Sequence, residues 1–125
     1  MPETYRSPCP IASALDILGD RWTLVVLRTL VMGRRRYGEI LAIPERISTN
    51  ILADRLDLLE REGLIMRTLY QQHPPRSEYR LTCKGADLLP VLQALAVWGG
   101  THIADRWVPP DAFWKARPEH YYPAE

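Results

Sequence analysis

Basic residues barely outnumber acidic ones in this 125-residue chain, 16 against 15. No global positive field marks it for a polyanion, so such a partner would have to be recognised through local placement of charge. Cysteine and histidine are scarce, two and three respectively. His73, His102 and His120 lie far apart without metal-ligand spacing, which predicts no metal site. No apolar run approaches the roughly 18 residues of a membrane span, and MPETYRSPCP lacks the basic-then-apolar order of a signal peptide. A cytoplasmic location is therefore expected, with Cys9 and Cys83 as reduced thiols rather than a disulfide. Also missing at meaningful spacing are a nucleophile and base pair, a carboxylate dyad and a phosphate-cradling glycine loop. An enzyme is disfavoured and no cofactor is expected. Lysine is nearly absent, with only Lys84 and Lys115 among the 16 basic residues. An arginine bias suits planar, bidentate recognition of phosphates or base edges. A GC-rich genome would produce the same bias.

The residues that are present read mostly as helix in one domain. Pro10 fits a first helical position, and Ile11, Leu15 and Leu18 follow at helical spacing up to Gly19. Asp20 can cap a second helix, RWTLVVLRTLVM, whose apolar surface all round predicts a central buried element. A short third helix near RYGEILA must stop before Pro44. ISTNILADRLDLLEREGLI forms the fourth, with Ser48 as N-cap and Gly63 as its left-handed exit. LIMRTLYQQ and SEYRLT then read as strands around an irregular HPPR tip. Thr82 can cap a last long helix running to about Ala104, kinked at Pro90.

On a helical wheel centred on Leu52, Leu56 and Leu59 fall within about 40°, while Asn50, Asp54 and Arg61 lie opposite. The leucines hold the helix down, and Ser48, Thr49 and Asn50 sit at a polar entrance that looks outward. Such an entrance, after a short helix and before a hairpin, is the layout that meets base edges in a major groove. Capping alone also explains small polar residues at a helix start. The arginines add a second argument. Arg34, Arg35 and Arg36 lie at the turn into the third helix, whose free N–H groups would add to anion attraction. Arg46 precedes the fourth helix, and Arg76 sits at the hairpin tip with Arg67 and Arg80 below it. Arg35, Arg36, Arg46 and Arg76 are thus candidates for phosphate or minor-groove contacts. Arg55, about 75° from the leucine centre, fits a structural ion pair. Two readings suit Asp54: a discriminator that accepts from cytosine N4, or a solvated helix residue.

CPIASALDILGDRWTLVVLRTL, RRRYGEI, ISTNILADRLDLLEREGLI, PPRSEYRLTCKG and PVLQALAVWG, in that order from about Cys9 to Gly100, resemble the HxlR-type transcriptional regulators, a branch of the MarR-like proteins. The resemblance implies a mainly α fold with a small β-hairpin wing, a winged helix-turn-helix with N- and C-terminal dimerisation helices. It implies a homodimer on a pseudo-palindromic double-stranded DNA operator, with repression as the working expectation. The family's usual pattern is an aromatic and then Asn in the third helix, where this chain has Tyr37 and Gly38; Gly38, in place of Asn, would weaken that helix by up to ~1 kcal/mol relative to Ala. Thr49 and Asn50 replace the Pro and Lys often found at the fourth helix's entrance, so operator preferences do not transfer.

Independent support for a dimer comes from the last long helix, which is apolar on most sides; Leu92, Leu95 and Trp98 are expected near the interface. Residues 1–104 read as the domain and 105–125 as an arm, rich in proline and aromatics, that covers its own or the partner's dimerisation helix or acts as a ligand lid. Cys9, immediately before Pro10, would feel the helix N-terminus, which favours reactivity toward oxidants or electrophiles. Some family members use a cysteine in this CP context as a sensor, and a plain capping or packing cysteine is the other reading. Cys83 reads as structural. A second function, small-molecule binding on the same scaffold without thiol sensing, would use a pocket lined by Trp22, Tyr37, Trp98 and Trp107.

Overall fold

The computed structural model describes residues 5–124. The outer ends of the expected domain and arm, residues 1–4 and 125, lie outside the described residues. Helices α1 (Pro10–Leu18), α2 (Thr23–Val31), α3 (Tyr37–Leu41) and α4 (Thr49–Arg61) lead into the antiparallel hairpin β1 (Ile65–Gln72) and β2 (Pro75–Leu81). Then come α5 (Cys83–Ala86), α6 (Leu89–His102), α7 (Asp111–Lys115) and a 3-10 turn, Pro118–Tyr121. The mainly α winged helix-turn-helix expected from the residues is the fold found. No helix of the described residues is long and apolar enough to cross a membrane.

The core gathers around α2, where Val26, Leu27 and Leu30 meet Leu52, Leu56 and Leu59 of α4, Leu64 just before β1, Ile65 and Leu81 of the hairpin and Leu89 of α6. As a buried helix, α2 must also satisfy its threonines: the Thr29 hydroxyl donates to the Val25 carbonyl at 2.9 Å, and the Thr23 hydroxyl donates to Asp20. Asp20 carries the helix start further, accepting from the N–H groups of Trp22 at 2.9 Å and Thr23 at 3.0 Å. The expected cap is present, although the regular helix begins later, at Thr23.

The α4 leucines are buried as the wheel places them, and Gly63 leaves the helix at φ +73°. A left-handed exit of this kind lets the chain reverse at once into β1. Thr82 caps α5, its hydroxyl accepting from Gly85 N–H at 3.1 Å. Beyond Thr82 the chain does not continue as one kinked helix. It breaks after Ala86, and Pro90 occupies the first turn of a separate α6, where its missing N–H has no intrahelical role. The hairpin is also longer than expected, because β2 starts at Pro75 and leaves only His73 and Pro74 between the strands.

The C-terminal arm packs on its own chain. Phe113 joins the core. Gln93 donates to the carbonyls of Phe113 and Ala116 at 3.0 and 3.1 Å, and Tyr121 donates to that of Val31 at 3.0 Å. Tyr122 donates to the Asp87 carboxylate, a bond that pushes its phenol up to about 12.

Two substitutions probe this packing. A Cβ on Gly85 would lie 2.0 Å from the Leu64 carbonyl oxygen. Gly85→Ala should therefore lower the unfolding free energy by about 3 kcal/mol in urea titrations, through overpacking against backbone. Burial works against the Asp20 charge, but hydrogen bonds from Thr23 and the Trp22 N–H, with Arg55 nearby, hold its carboxyl below the ordinary 3.8. A lowered folded-state value stabilises above the unfolded value and is lost as pH falls through the folded one. Asp20→Ala should cost about 1 kcal/mol at pH 7, and the gap from wild type should close as the medium is acidified below that ordinary value, followed by urea unfolding at stepped pH.

Candidate nucleic-acid interface

The entrance of α4 is built by local chemistry. Ser48 is extended, and its hydroxyl accepts from Ile51 N–H at 3.2 Å. Ile47 and Leu52, at the two positions of a hydrophobic staple, are both buried and set the angle at which the chain enters. Thr49, Asn50 and Asp54 are exposed on the outer side. The hydroxyl of Tyr37, at the start of α3, donates to the Thr49 carbonyl at 3.4 Å, joining the two helix entrances. Arg46, just ahead, is exposed with φ +62°.

Arg55 forms the structural ion pair expected of it. It lies 3.2 Å from Asp20 and also pairs with Asp54. The Asp54 carboxylate on the outer face is therefore already engaged by its own helix. Ile51, 38% exposed beside Asn50, is a residue the wheel alone did not single out. An exposed aliphatic group among polar neighbours here is of a type that contacts a thymine methyl; its unfavourable exposure in an otherwise polar turn is the signal that marks it.

The remaining arginines divide into two groups. Arg28 is held by both oxygens of Glu45 at 2.6 and 3.0 Å, a bond that also holds that carboxyl below its usual range. Arg61 pairs with Asp57 at 3.0 Å, Arg67 with Glu60 at 3.9 Å and Arg80 with Glu78 at 2.8 Å. Arg67 and Arg80, expected beneath the wing as part of a cationic surface, are thus neutralised by partners. Among the described residues Arg21, Arg106 and Arg117 form no ion pair with a carboxylate, and neither do the five candidates Arg34, Arg35, Arg36, Arg46 and Arg76. All five are exposed. Arg34, Arg36 and Arg76 line one open groove of about 1110 Å³ between α3 and the hairpin, together with Tyr37, Tyr70 and Tyr79.

The structure corrects several expectations. The N–H groups entering α3 are not free for an outside anion: the Glu39 carboxylate accepts from Arg35 at 3.2 Å and Arg36 at 3.0 Å. These bonds, from Arg36 first and Arg35 second, hold the Glu39 carboxyl below its usual range. The segment carrying the arginines is also strand-like, since Tyr79 N–H donates to the Arg35 carbonyl at 2.7 Å and Arg36 bridges Glu78. The aromatic pocket does not form: Trp22, Tyr37 and Trp107 line three separate depressions, and Trp98 lines none of those described. Leu92 points into its own chain's core, whereas Leu95 and Trp98 are 52% and 61% exposed. Leu92 lies one turn before Ala96, which packs against that core, on the side of α6 opposite the outward residues.

Cys9 is exposed directly before α1, and Cys83 is exposed at the first position of α5 rather than packed inside. The two are free thiols. Among the described residues no group of three or more His, Cys, Asp or Glu is placed to hold a metal ion.

This geometry agrees with what known proteins share with the chain. Residues 17–106 match the family model described as HxlR-like helix-turn-helix. An HTH-type transcriptional regulator of Synechocystis sp. is 44% identical over 87 residues, covering 70% of this chain and 64% of that protein's length. The redox regulator HypR in its oxidised form superposes with a TM-score of 0.69 at 32% identity, over 80% of this chain and 100% of HypR. The reduced form of the transcriptional regulator YodB from B. subtilis gives a TM-score of 0.64 at 31% identity, over 81% of this chain and 100% of YodB. The chain belongs to the HxlR-like helix-turn-helix family.

Proposed function

We propose that this protein is a sequence-specific regulator of transcription that binds double-stranded DNA as a homodimer on a pseudo-palindromic operator. The observation that carries this reading is the placement of charge: Arg28, Arg61, Arg67 and Arg80 are paired, while Arg34, Arg35, Arg36, Arg46 and Arg76 stand exposed without a carboxylate partner at the α3 turn, just ahead of α4 and at the hairpin tip. In this reading Ser48, Thr49 and Asn50 enter the major groove, with Asp54 and Arg55 as a paired unit one turn behind. Arg35, Arg46 and Arg76 supply the charge that meets the flanking phosphates or minor groove, with Arg36 beside them at the α3 turn. Repression is the regulatory sense the reading carries.

The dimer is supported by apolar surface that one chain leaves bare. Ile11 and Leu15 of α1 and Val91, Leu95, Val97 and Trp98 of α6 are all exposed. Isologous pairing of such helices is the commonest way to cover them, and it would set the separation of two recognition helices at a multiple of the ~34 Å helical repeat. Leu95 and Trp98 are the interface residues in this proposal. Cys9 is the candidate thiol for oxidant or electrophile response, supported by its exposure at the start of α1. The redox naming of HypR among similar structures points the same way.

DNA selected by the protein from a random pool is the material that tests these roles. Arg76→Ala should weaken binding similarly on all sequences and reduce the salt slope by about one. Asn50→Ala should relax preference at particular bases, a loss of about 1–3 kcal/mol in discrimination; equal losses on every DNA variant would remove Asn50 from base reading. Trp98→Glu should convert the sedimenting species from dimer to monomer and lower operator affinity with it. Diamide treatment should release wild type from DNA and leave Cys9→Ser bound; a Cys9→Ser protein that still responds would clear Cys9 of sensing.

A further inference from the structure

Arg36 differs from Arg34, Arg35, Arg46 and Arg76 in what its side chain touches. Its guanidinium carbon lies 3.9 Å from the centroid of the Tyr70 ring, well inside the range of a cation–π stack. The hairpin's register places Tyr70 there. Leu69 pairs with Ser77 and Gln71 with Arg76, so Tyr70 has no partner across the ladder. An extra residue of this kind bends its strand and re-aims a side chain.

The contact is one of two between the Arg35–Arg36 segment and the hairpin. The first is backbone: the Tyr79 N–H bond to Arg35 and the bridge from Arg36 to Glu78. It holds the base of the wing, where Tyr79 is buried. The second is the stack, which reaches the distal half, next to the tip that carries Arg76. A two-stranded ribbon with both faces in water is marginally stable by itself, and both strands at the tip are exposed from Gln72 to Arg76. Without a distal anchor, Arg76 would not hold one position relative to α4.

We propose that Arg36 is a positioning residue, which by stacking on Tyr70 fixes the distal wing against α3 and so sets where Arg76 meets the DNA. Its effect on binding passes through the wing rather than through a phosphate contact of its own. The inference rests on the DNA-binding reading above, but its first test needs no DNA.

Hydrogen exchange of the free, full-length protein is compared for wild type, Arg36→Ala, Tyr70→Ala and Tyr70→Phe. Wing amides from Leu69 to Ser77 should exchange about two- to five-fold faster in both alanine variants, the range given by an exposed cation–π contact. They should stay near wild type in Tyr70→Phe, which keeps the ring face. Amides of α4 should not change, which separates a local clasp from general destabilisation. Unaltered wing exchange in both alanine variants would overturn the proposal. With DNA selected by wild type, Arg36→Ala should weaken binding in the natural background and add nothing to Tyr70→Ala. Additive losses would return Arg36 to an ordinary phosphate contact. A wild-type protein that selects no DNA would defeat the regulator reading, while the exchange comparison still decides the clasp.

Discussion

Everything at the outer surface of this protein depends on how α4 is held from behind. A recognition helix has to bury one face completely so that the other can stand in solvent at a fixed angle. Leu52, Leu56 and Leu59 do this against α2 and the hairpin and so oppose rotation, but non-directional burial fixes the helix's position along its axis less sharply. Polar contacts from three other parts of the chain sharpen it. Asp20 reaches Arg55 while capping α2, Tyr37 binds the Thr49 carbonyl, and Glu45 anchors the turn before α4 to Arg28 of α2. Asp20 is the economical case, since one carboxylate starts the central helix and locates the outer one. Losing it removes both functions together.

The same logic explains where charge is left unpaired. An ion pair at a surface adds little stability, so pairing within the chain matters here mostly for what it removes from the outer field. Glu60 and Glu78 take up the arginines at the base of the hairpin, and Glu45 takes up Arg28. Arg34, Arg35 and Arg36 at the α3 turn, Arg46 ahead of α4 and Arg76 at the wing tip are left without a carboxylate partner. A chain with almost no net charge can therefore present a cationic strip on one face. Glu39 fits this pattern, because it satisfies the backbone N–H groups entering α3 without forming an ion pair with the arginines around it.

Much of this was legible in the sequence where the determinant is local. Ser48, the leucine spacing and Gly63 define α4 through caps and period, interactions that span only a few residues. Arg55 could be assigned to an ion pair because the wheel puts it on the flank, toward the body of the protein. The features that were not legible depend on distant partners. Nothing within LIMRTLYQQ says that Tyr70 falls opposite no residue of β2, since the register is set by both strands together. Likewise Leu92 and Leu95 look alike along α6, and only the packing against α2 decides which is inside. The break before α6 was half visible: Pro90 signals disturbance, but whether a helix kinks or restarts depends on whether the preceding turn can close separately, as α5 does under Thr82. Glu39, three residues after Arg36, was a readable capping signal that the run of arginines obscured.

The two ends of the chain raise a common physical issue. α6 is apolar on most of its circumference, yet within one chain only Leu89 and Leu92 are buried, and the arm engages it through the polar Gln93. The arm therefore completes the core on one side without relieving the exposed leucine, valine and tryptophan on another. α1 has the same imbalance, with Ile11 and Leu15 outward and only Leu18 buried. Surface of that kind, at both ends of a chain whose core is otherwise closed, is what a second copy would cover. The proposed interface then lies on helices that contribute no residue to the α4 entrance, so dimer geometry can vary while each recognition surface stays intact. Cys9 stands at the first turn of one of those helices. In the proposed dimer, a modification there would act on the spacing between the two copies of α4 rather than on either copy itself.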